Sequence, residues 1–409
     1  MLFLLANCKH CHHHDWRHGN ILSLDTSSQP AVFDGRAPMG LSIVLTIMKT
    51  ALPFIAFFIL SQVVQAQLSQ DVNTLQSPQG LDPARISHDV SPAHFGALTF
   101  YFENDAFAGT DQDYTNGARI SWTSPSLNKF SDDPAAGSVA GYFDDAPLMG
   151  DSGYTRNVAV FIGQSLFTPV NTKASAPVPN ERPYAGWLYG GMGLVWKTPR
   201  VKNTFVLNIG VVGPWAMGEE TQHAVHQSLG QRSPQGWNNQ LRNEIGINAS
   251  YERKWRFRSN PEGSGLACDF LPYAGATLGN VYTLADIGGE YRFGYNLPDD
   301  FGTSGISDAA TTPTPVEGAA ARNWMHRFGM HMFARAEGRA IARNIFLDGN
   351  TFRSSASVDK NIFVADLSLG FAMNWRNSKL SYAFIYRTRE FKGQPEGQLF
   401  GSVTLSIFF

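Results

Sequence analysis

The sequence predicts an all-β protein, a transmembrane antiparallel β-barrel of twelve strands with a helix carried in one extracellular loop. Three observations predict it. Segments that alternate apolar and polar residues recur from about residue 95 to the C-terminus, the period-two pattern of a wall between lipid and a polar lumen. The last of them, GSVTLSIFF from Gly401 to Phe409, puts Val403, Leu405, Ile407 and Phe409 on one face and ends on an aromatic residue. The third is composition: 39 Gly, 29 Phe, 13 Tyr and 9 Trp against only 16% charged residues, a balance that suits many strands with aromatic girdles.

With 409 residues, 43% of them hydrophobic, and a formal charge of -2, the chain can bury a large core and carries no excess charge that points to nucleic acid. The mean hydropathy of -0.18 is compatible with a membrane barrel, because alternating strands average their two faces.

The N-terminus is trimmed before any fold reasoning. From Met48, MKTALPFIAFFILSQVVQA offers Lys49, an apolar run from Ala51 to Leu60, and Val64-Gln65-Ala66 as a cleavage site, which reads as a secretory signal over 48–66. The run is too short to cross a bilayer as a helix, which takes about 20 apolar residues. Residues 1–47 then stand upstream of a complete signal and are read as a mis-assigned extension. They hold Cys8, Cys11 and His10, His12, His13 and His14, a cluster without the spaced second ligand pair of a zinc site. Without that extension Cys268 is the only cysteine, so no intrachain disulfide is expected. Residues 67–94 are polar and Pro-rich and read as a flexible lead-in to a barrel domain at 95–409.

The strands are expected at about 95–104, 114–124, 156–166, 184–197, 202–212, 241–257, 266–279, 282–296, 326–340, 361–375, 379–390 and 398–409. Twelve is an even number, as a closed single-chain bacterial barrel requires. In the first arm Leu98, Phe100 and Phe102 oppose Ala97, Thr99, Tyr101 and Glu103. In the second, Tyr114, Ala118, Ile120 and Trp122 oppose Thr115, Arg119, Ser121 and Thr123. With both termini in the periplasm, loops after odd strands are extracellular: 105–113, 167–183, 213–240, a tight Gly279-Asn280 turn, 341–360 and 391–397. The connections 125–155 and 297–325 are long for periplasmic turns, so each holds a helix or plug, or the strand count is wrong by a pair.

Polar residues too expensive for a plain wall gather at the outer strand ends. Asn104 and Asp105 end the first strand, Thr115 opens the second, and Lys173 sits in the next outer loop. GPWAMGEETQHAVHQSLG reads as a helix ended by Gly230 that places Gln222 and His226 four apart on one face. Carboxylate, amide and hydroxyl oxygens suit a hard cation such as Ca2+, and His226 suits a general base. Each has a plainer reading: Asn and Asp form turns, Thr115 is an ordinary strand residue, Lys173 contacts lipopolysaccharide phosphates, and His226 competes with His223. Adjacent strand residues face opposite sides, so Asn104 and Asp105 serve one site only if the strand bends or ends there. Gly150-Asp151-Ser152-Gly153 matches a serine-protease GDSG, but it lies in a periplasmic connection, and the sequence has no G-x-S-x-G.

FENDAF, DYTNGARISW, RPYAGWLYGGMGLVW and GVVGPWAMGEETQHAVH together resemble the LpxR family of outer-membrane lipid A 3'-O-deacylases. The resemblance covers about Phe95 to Phe409 and is strongest before residue 230. It implies a twelve-stranded outer-membrane barrel, active site facing outside, that hydrolyses the 3'-linked acyloxyacyl ester of lipid A with calcium. It implies that Asn104, Lys173, Gln222 and His226 act in catalysis and that Asp105 and Thr115 serve the metal. His226 would be the base, oriented by a partner such as Gln222, and Lys173 would help stabilise the oxyanion. Where the family's helix can carry a carboxylate after the His, this chain has Gln231 and Arg232. The expected partners are lipid A or lipopolysaccharide, outer-membrane lipids and, during biogenesis, the barrel-assembly machinery, with the chain a monomer. The other readings are a non-catalytic barrel, such as a porin or surface-binding protein, and an outer-membrane phospholipase.

Overall fold

The structure is a computed structural model that describes residues 96–105, 113–146, 149, 153–230, 232–259, 265–303, 305–306 and 328–409. The expected signal, extension and lead-in, the Cys8 and Cys11 cluster, most of the GDSG stretch and Gln231 lie outside the described residues.

Twelve antiparallel strands form one closed sheet. They are β1 (Ala97–Asn104), β2 (Asp113–Thr123), β3 (Thr155–Thr168), β4 (Ala185–Lys197), β5 (Val201–Val212), β6 (Glu244–Trp255, continued past Arg256 by Phe257–Arg258) and β7 (Leu266–Gly279). The remainder are β8 (Tyr282–Tyr295), β9 (Gly329–Asn344), β10 (Phe363–Trp375), β11 (Ser378–Arg387) and β12 (Gln398–Phe408). All twelve expected segments are strands; β9 runs on to Asn344 and β11 stops at Arg387. Every strand pairs with its sequence neighbour, and β12 pairs with β1 from Ala97↔Phe408 to Asn104↔Gly401. The terminal Phe409 exchanges backbone hydrogen bonds with Gly96 at 3.0 and 3.1 Å. Closure leaves no edge strand.

Alternation sorts the side chains. Ile162, Ile209, Ile287, Met332, Leu369 and Phe371 are exposed on the outer face, whereas Arg119, Glu290, Arg292, Asp366 and Lys379 are buried inside. Two expected faces are corrected, those of Tyr114 and Thr115. The β2–β3 register shifts between Tyr114 and Asn116, so a bulge at Thr115 reverses the alternation and Tyr114 points into the lumen. There its ring meets Phe167 and Phe400 at centroid distances of 5.5 and 5.3 Å, apart from outward Ala118 and Ile120.

The described parts of both long connections pack against the barrel, and the strand count stands. Residues 297–303 and 305–306 enter the barrel from the periplasmic end as a plug. Asp300 meets Lys379 Nζ at 2.7 Å and pairs with Arg292, which also donates through Nε to Asp269 Oδ1 at 2.7 Å. Further along, Thr303 N–H donates to Glu290 Oε1 at 3.0 Å and Ile306 N–H to Glu103 Oε1 at 2.8 Å. Above the plug, Tyr114, Phe167, Phe346 and Phe400 form one apolar cluster, Phe346 coming from a helical turn at Ile345–Asp348. A cavity of about 130 Å³ remains between plug and cluster, with Glu103, Ile306 and Arg335 on its wall. A lumen filled this way gives the porin reading no support.

The other connection packs on the outside. Phe130 and Ala140, from the short turns Phe130–Asp132 and Gly137–Ala140 (α1), share a buried cluster with Val158, Leu194 and Trp196. Those three lie on the outer parity of β3 and β4, near their periplasmic ends. Carboxylates hold this foot together: Asp133 Oδ1 accepts from Ala135 and Ala136 N–H, and Asp144 Oδ1 from Phe130 N–H at 2.6 Å. Burial alone would raise the Asp144 carboxyl, but hydrogen bonds from Ser131 and Phe130 and the nearby Arg156 charge hold it below its ordinary value.

Candidate active site

The outer ends of β1 to β3 supply the first half of the site. β1 stops at Asn104, and Asp105 turns out of the strand, so the break that lets adjacent residues serve one site is present. Asn104 has the outward parity of Leu98, Phe100 and Phe102 and is paired with Asn116 on β2. Both are buried, as are Asp105 (1% exposed) and Thr115. The bulge sets Thr115 beside Asn116 on the outer side, its hydroxyl 2.8 Å from that of Thr168 at the end of β3.

The loop after β5 supplies the second half. It leaves the strand through Gly213 (φ 96°), whose Cβ would meet Leu241 and Arg242 backbone, and makes a turn at Pro214–Ala216. Helix α2 (Gly218–Leu229) follows and ends at left-handed Gly230 (φ 66°), where the sequence placed its end. The loop is strapped to the outside of the barrel. Outward-facing Gln164 on β3 donates through Nε2 to Ala216 O at 2.7 Å, and Gly218 lies against Leu166 and the Trp237 ring, where a Cβ would come within 2.7 Å. Leu166, Tyr184 and Trp237 form a small buried cluster between wall and loop.

That packing fixes the two helix residues. Gln222 is buried and its Oε1 accepts from Trp237 Nε1–H at 2.8 Å. His226, one turn on and also buried, has Nδ1 2.8 Å from the backbone oxygen of Arg232. A carbonyl can only accept, so Nδ1 carries a proton and donates it to that bond, which leaves Nε2 as the ring nitrogen suited to base chemistry. A backbone oxygen therefore orients His226 where this chain has Gln231 and Arg232 in place of a carboxylate. His223 is half-buried three residues before His226 and so neighbours it on α2, but only His226 lies one turn from Gln222 on the buried side of the helix.

Lys173 is set apart from this buried group. Its side chain is exposed in the loop between β3 and β4, and its backbone N–H donates to Asn171 Oδ1 at 3.3 Å. The loop itself abuts the tail of the α2 loop, with Gln235 N–H donating to Thr172 O at 2.9 Å and Asn239 Nδ2 to Ser175 O at 2.7 Å.

Trp237, Thr168, Gln164 and the Arg232 carbonyl are contributors that sequence reasoning missed. Only Gln164 left a signal, as a polar residue on the lipid-facing parity of β3. Trp237→Phe keeps an aromatic ring but leaves Gln222 Oε1 without its indole donor. Thermal unfolding in detergent is expected to show a loss of about 1–3 kcal/mol; an unchanged transition would show that this bond does not hold the loop.

Among the described residues, no group of three or more His, Cys, Asp and Glu could hold a metal. The strand-end donors are instead one carboxylate (Asp105), one amide (Asn104) and one hydroxyl (Thr115), an all-oxygen set that fits Ca2+ completed by water or substrate oxygens.

The family described as "Outer membrane protein LpxR" matches residues 54–409. No curated protein matches the sequence. Among solved structures, LpxR from Salmonella typhimurium is 19% identical with a TM-score of 0.59, over 76% of this chain and 100% of that one; the two share a fold. The β domain of the Bordetella autotransporter BrkA (10% identity, TM-score 0.36) covers 78% of this chain and 100% of its own. The translocator domain of NalP from Neisseria meningitidis (9%, 0.30) covers 78% and 90%.

Proposed function

Because the chain belongs to the LpxR family of outer-membrane proteins, we propose that it is a calcium-dependent ester hydrolase that removes the 3'-linked acyloxyacyl chain from lipid A. The observation that carries the proposal is the hydrogen bond from His226 Nδ1 to Arg232 O, on a helix strapped to the outside of the barrel at its outer rim. A base there faces lipid of the outer leaflet, which can reach it sideways without entering the filled lumen.

In this reading His226 Nε2 takes a proton from a water as the water oxygen attacks the ester carbonyl carbon. The bond from that carbon to the sugar 3-oxygen then breaks, and the proton passes from His226 to the leaving oxygen. Gln222, its Oε1 committed to Trp237, acts through its NH2 as a donor beside His226. Asp105 and Thr115, with Asn104 beside them, would hold the calcium. When bound, that ion polarises the ester carbonyl and stabilises the charge that develops on its oxygen. Lys173 is assigned to the sugar phosphates of the substrate or to the oxyanion, both within the chemistry of an exposed ammonium.

Asp105→Asn keeps the shape of the strand end and removes the Asp105 carboxylate. Deacylation of purified lipopolysaccharide is expected to fall at least about 100-fold. The wild type should lose activity in EGTA and regain it with added Ca2+. Full activity of the wild type in EGTA would remove the metal from the account.

A further inference from the structure

The foot at 126–146 covers outer wall that a plain barrel would show to lipid. On β3, Val158 lies under Phe130 and Ala140, and Gln164 lies under the α2 loop, so only Val160 and Ile162 stay exposed between them on that parity. From Val158 to Gln164 the wall rises roughly 14 Å along the membrane normal, at about 3.3 Å per residue and a tilt of about 45°. Across the barrel on β8, the outward parity is exposed at Ala285, Ile287, Tyr291, Phe293 and Tyr295, with half-buried Gly289 between. That stretch rises roughly 23 Å, close to the ~25 Å apolar band of such barrels.

Both sectors sit in one bilayer, so the covering elements must make up the shortfall on the β3 side. The outer surface of the foot fits that role. Tyr142 is 87% exposed and Val139 55% exposed, an amphipathic aromatic and an apolar side chain of the kind found at membrane interfaces. The foot has one basic residue, Lys129, beside Asp132, Asp133, Asp144 and Asp145, which disfavours attraction to anionic lipid.

We propose that residues 126–146 form an interfacial lipid anchor lying in the headgroup layer of the periplasmic leaflet, with Val139 and Tyr142 in contact with zwitterionic glycerophospholipid. The anchor sits on the sector that carries the candidate site and narrows the lipid-exposed wall beneath it. The inference stands on packing and exposure and does not depend on the proposed hydrolysis.

The test uses the full chain with Cys8, Cys11 and Cys268 replaced by serine, carrying Y142C labelled with an environment-sensitive fluorophore in phosphatidylcholine vesicles. I287C on the belt and K392C in an extracellular loop serve as references, and V139C is the second variant should Y142C fail to fold. The expected result is a blue-shifted emission and quenching by lipid brominated near the headgroup at least about threefold stronger than at position 392. Iodide quenching equal to that at position 392, without lipid quenching, would overturn the proposal. Protection from both quenchers would overturn it as well, since it would mean that protein covers the foot.

Discussion

His226→Ala is expected to lower lipid A deacylation by about 100- to 10,000-fold, the usual range for removing a positioned general base, while the protein still folds as a barrel. The loss should be large because the ring is held in one orientation: the Arg232 carbonyl accepts a hydrogen bond from Nδ1–H, and no other histidine lies one turn from Gln222 on α2. His223 cannot substitute without turning the helix, which Gln164, Gly218 and Trp237 hold against the wall. His226→Gln offers hydrogen bonding without a base and should be as inactive as the alanine variant. Retention of more than about a tenth of the activity in either variant would remove His226 from the chemistry.

Asp300→Ala carries the largest expected effect on stability, about 3–5 kcal/mol, because it strands charges inside the lumen. Asp300 is fully buried; it pairs with Arg292 and Lys379 and accepts from Gly302 N–H at 3.0 Å. Arg292 keeps Asp269, but among the described residues Lys379 is left with the Gly302 carbonyl at 3.0 Å as its hydrogen-bond partner. Urea or thermal unfolding of the refolded protein measures the loss, and Asp300→Asn should recover part of it, because its amide oxygen can still accept from Arg292 and Gly302 N–H although its NH2 cannot accept from Lys379. An unchanged midpoint in Asp300→Ala would show that the plug adds nothing to the stability of the barrel.

The barrel is legible in the sequence because each wall strand must satisfy lipid on one face and a polar interior on the other, and that demand is written at every second residue. The break after Asn104 and the stop at Gly230 are equally local: a turn-forming Asn-Asp pair in one case, a glycine free to take positive φ in the other. The bulge at Thr115 is not local. It depends on how β2 meets β3, so period-two reasoning assigned Tyr114 to the wrong face. Nor could alternation foresee that the stretch at 297–303 folds inward onto buried Arg292 and Lys379 while the one at 126–146 folds outward onto Val158 and Trp196. The partner that orients His226 was hidden for a different reason, since a backbone carbonyl has no signature in a sequence. Trp237 was hidden by distance, its indole reaching Gln222 from a separate turn of the loop.

The central claim is that this outer-rim site acts on lipid A. Mass spectrometry of lipid A from cells that express the chain or its His226→Ala variant tests it most directly. The account predicts loss of the 3'-acyloxyacyl group with the wild-type chain and intact lipid A with the variant. Unchanged lipid A with a folded wild-type chain and calcium present, or release of lysophospholipid in its place, would contradict it.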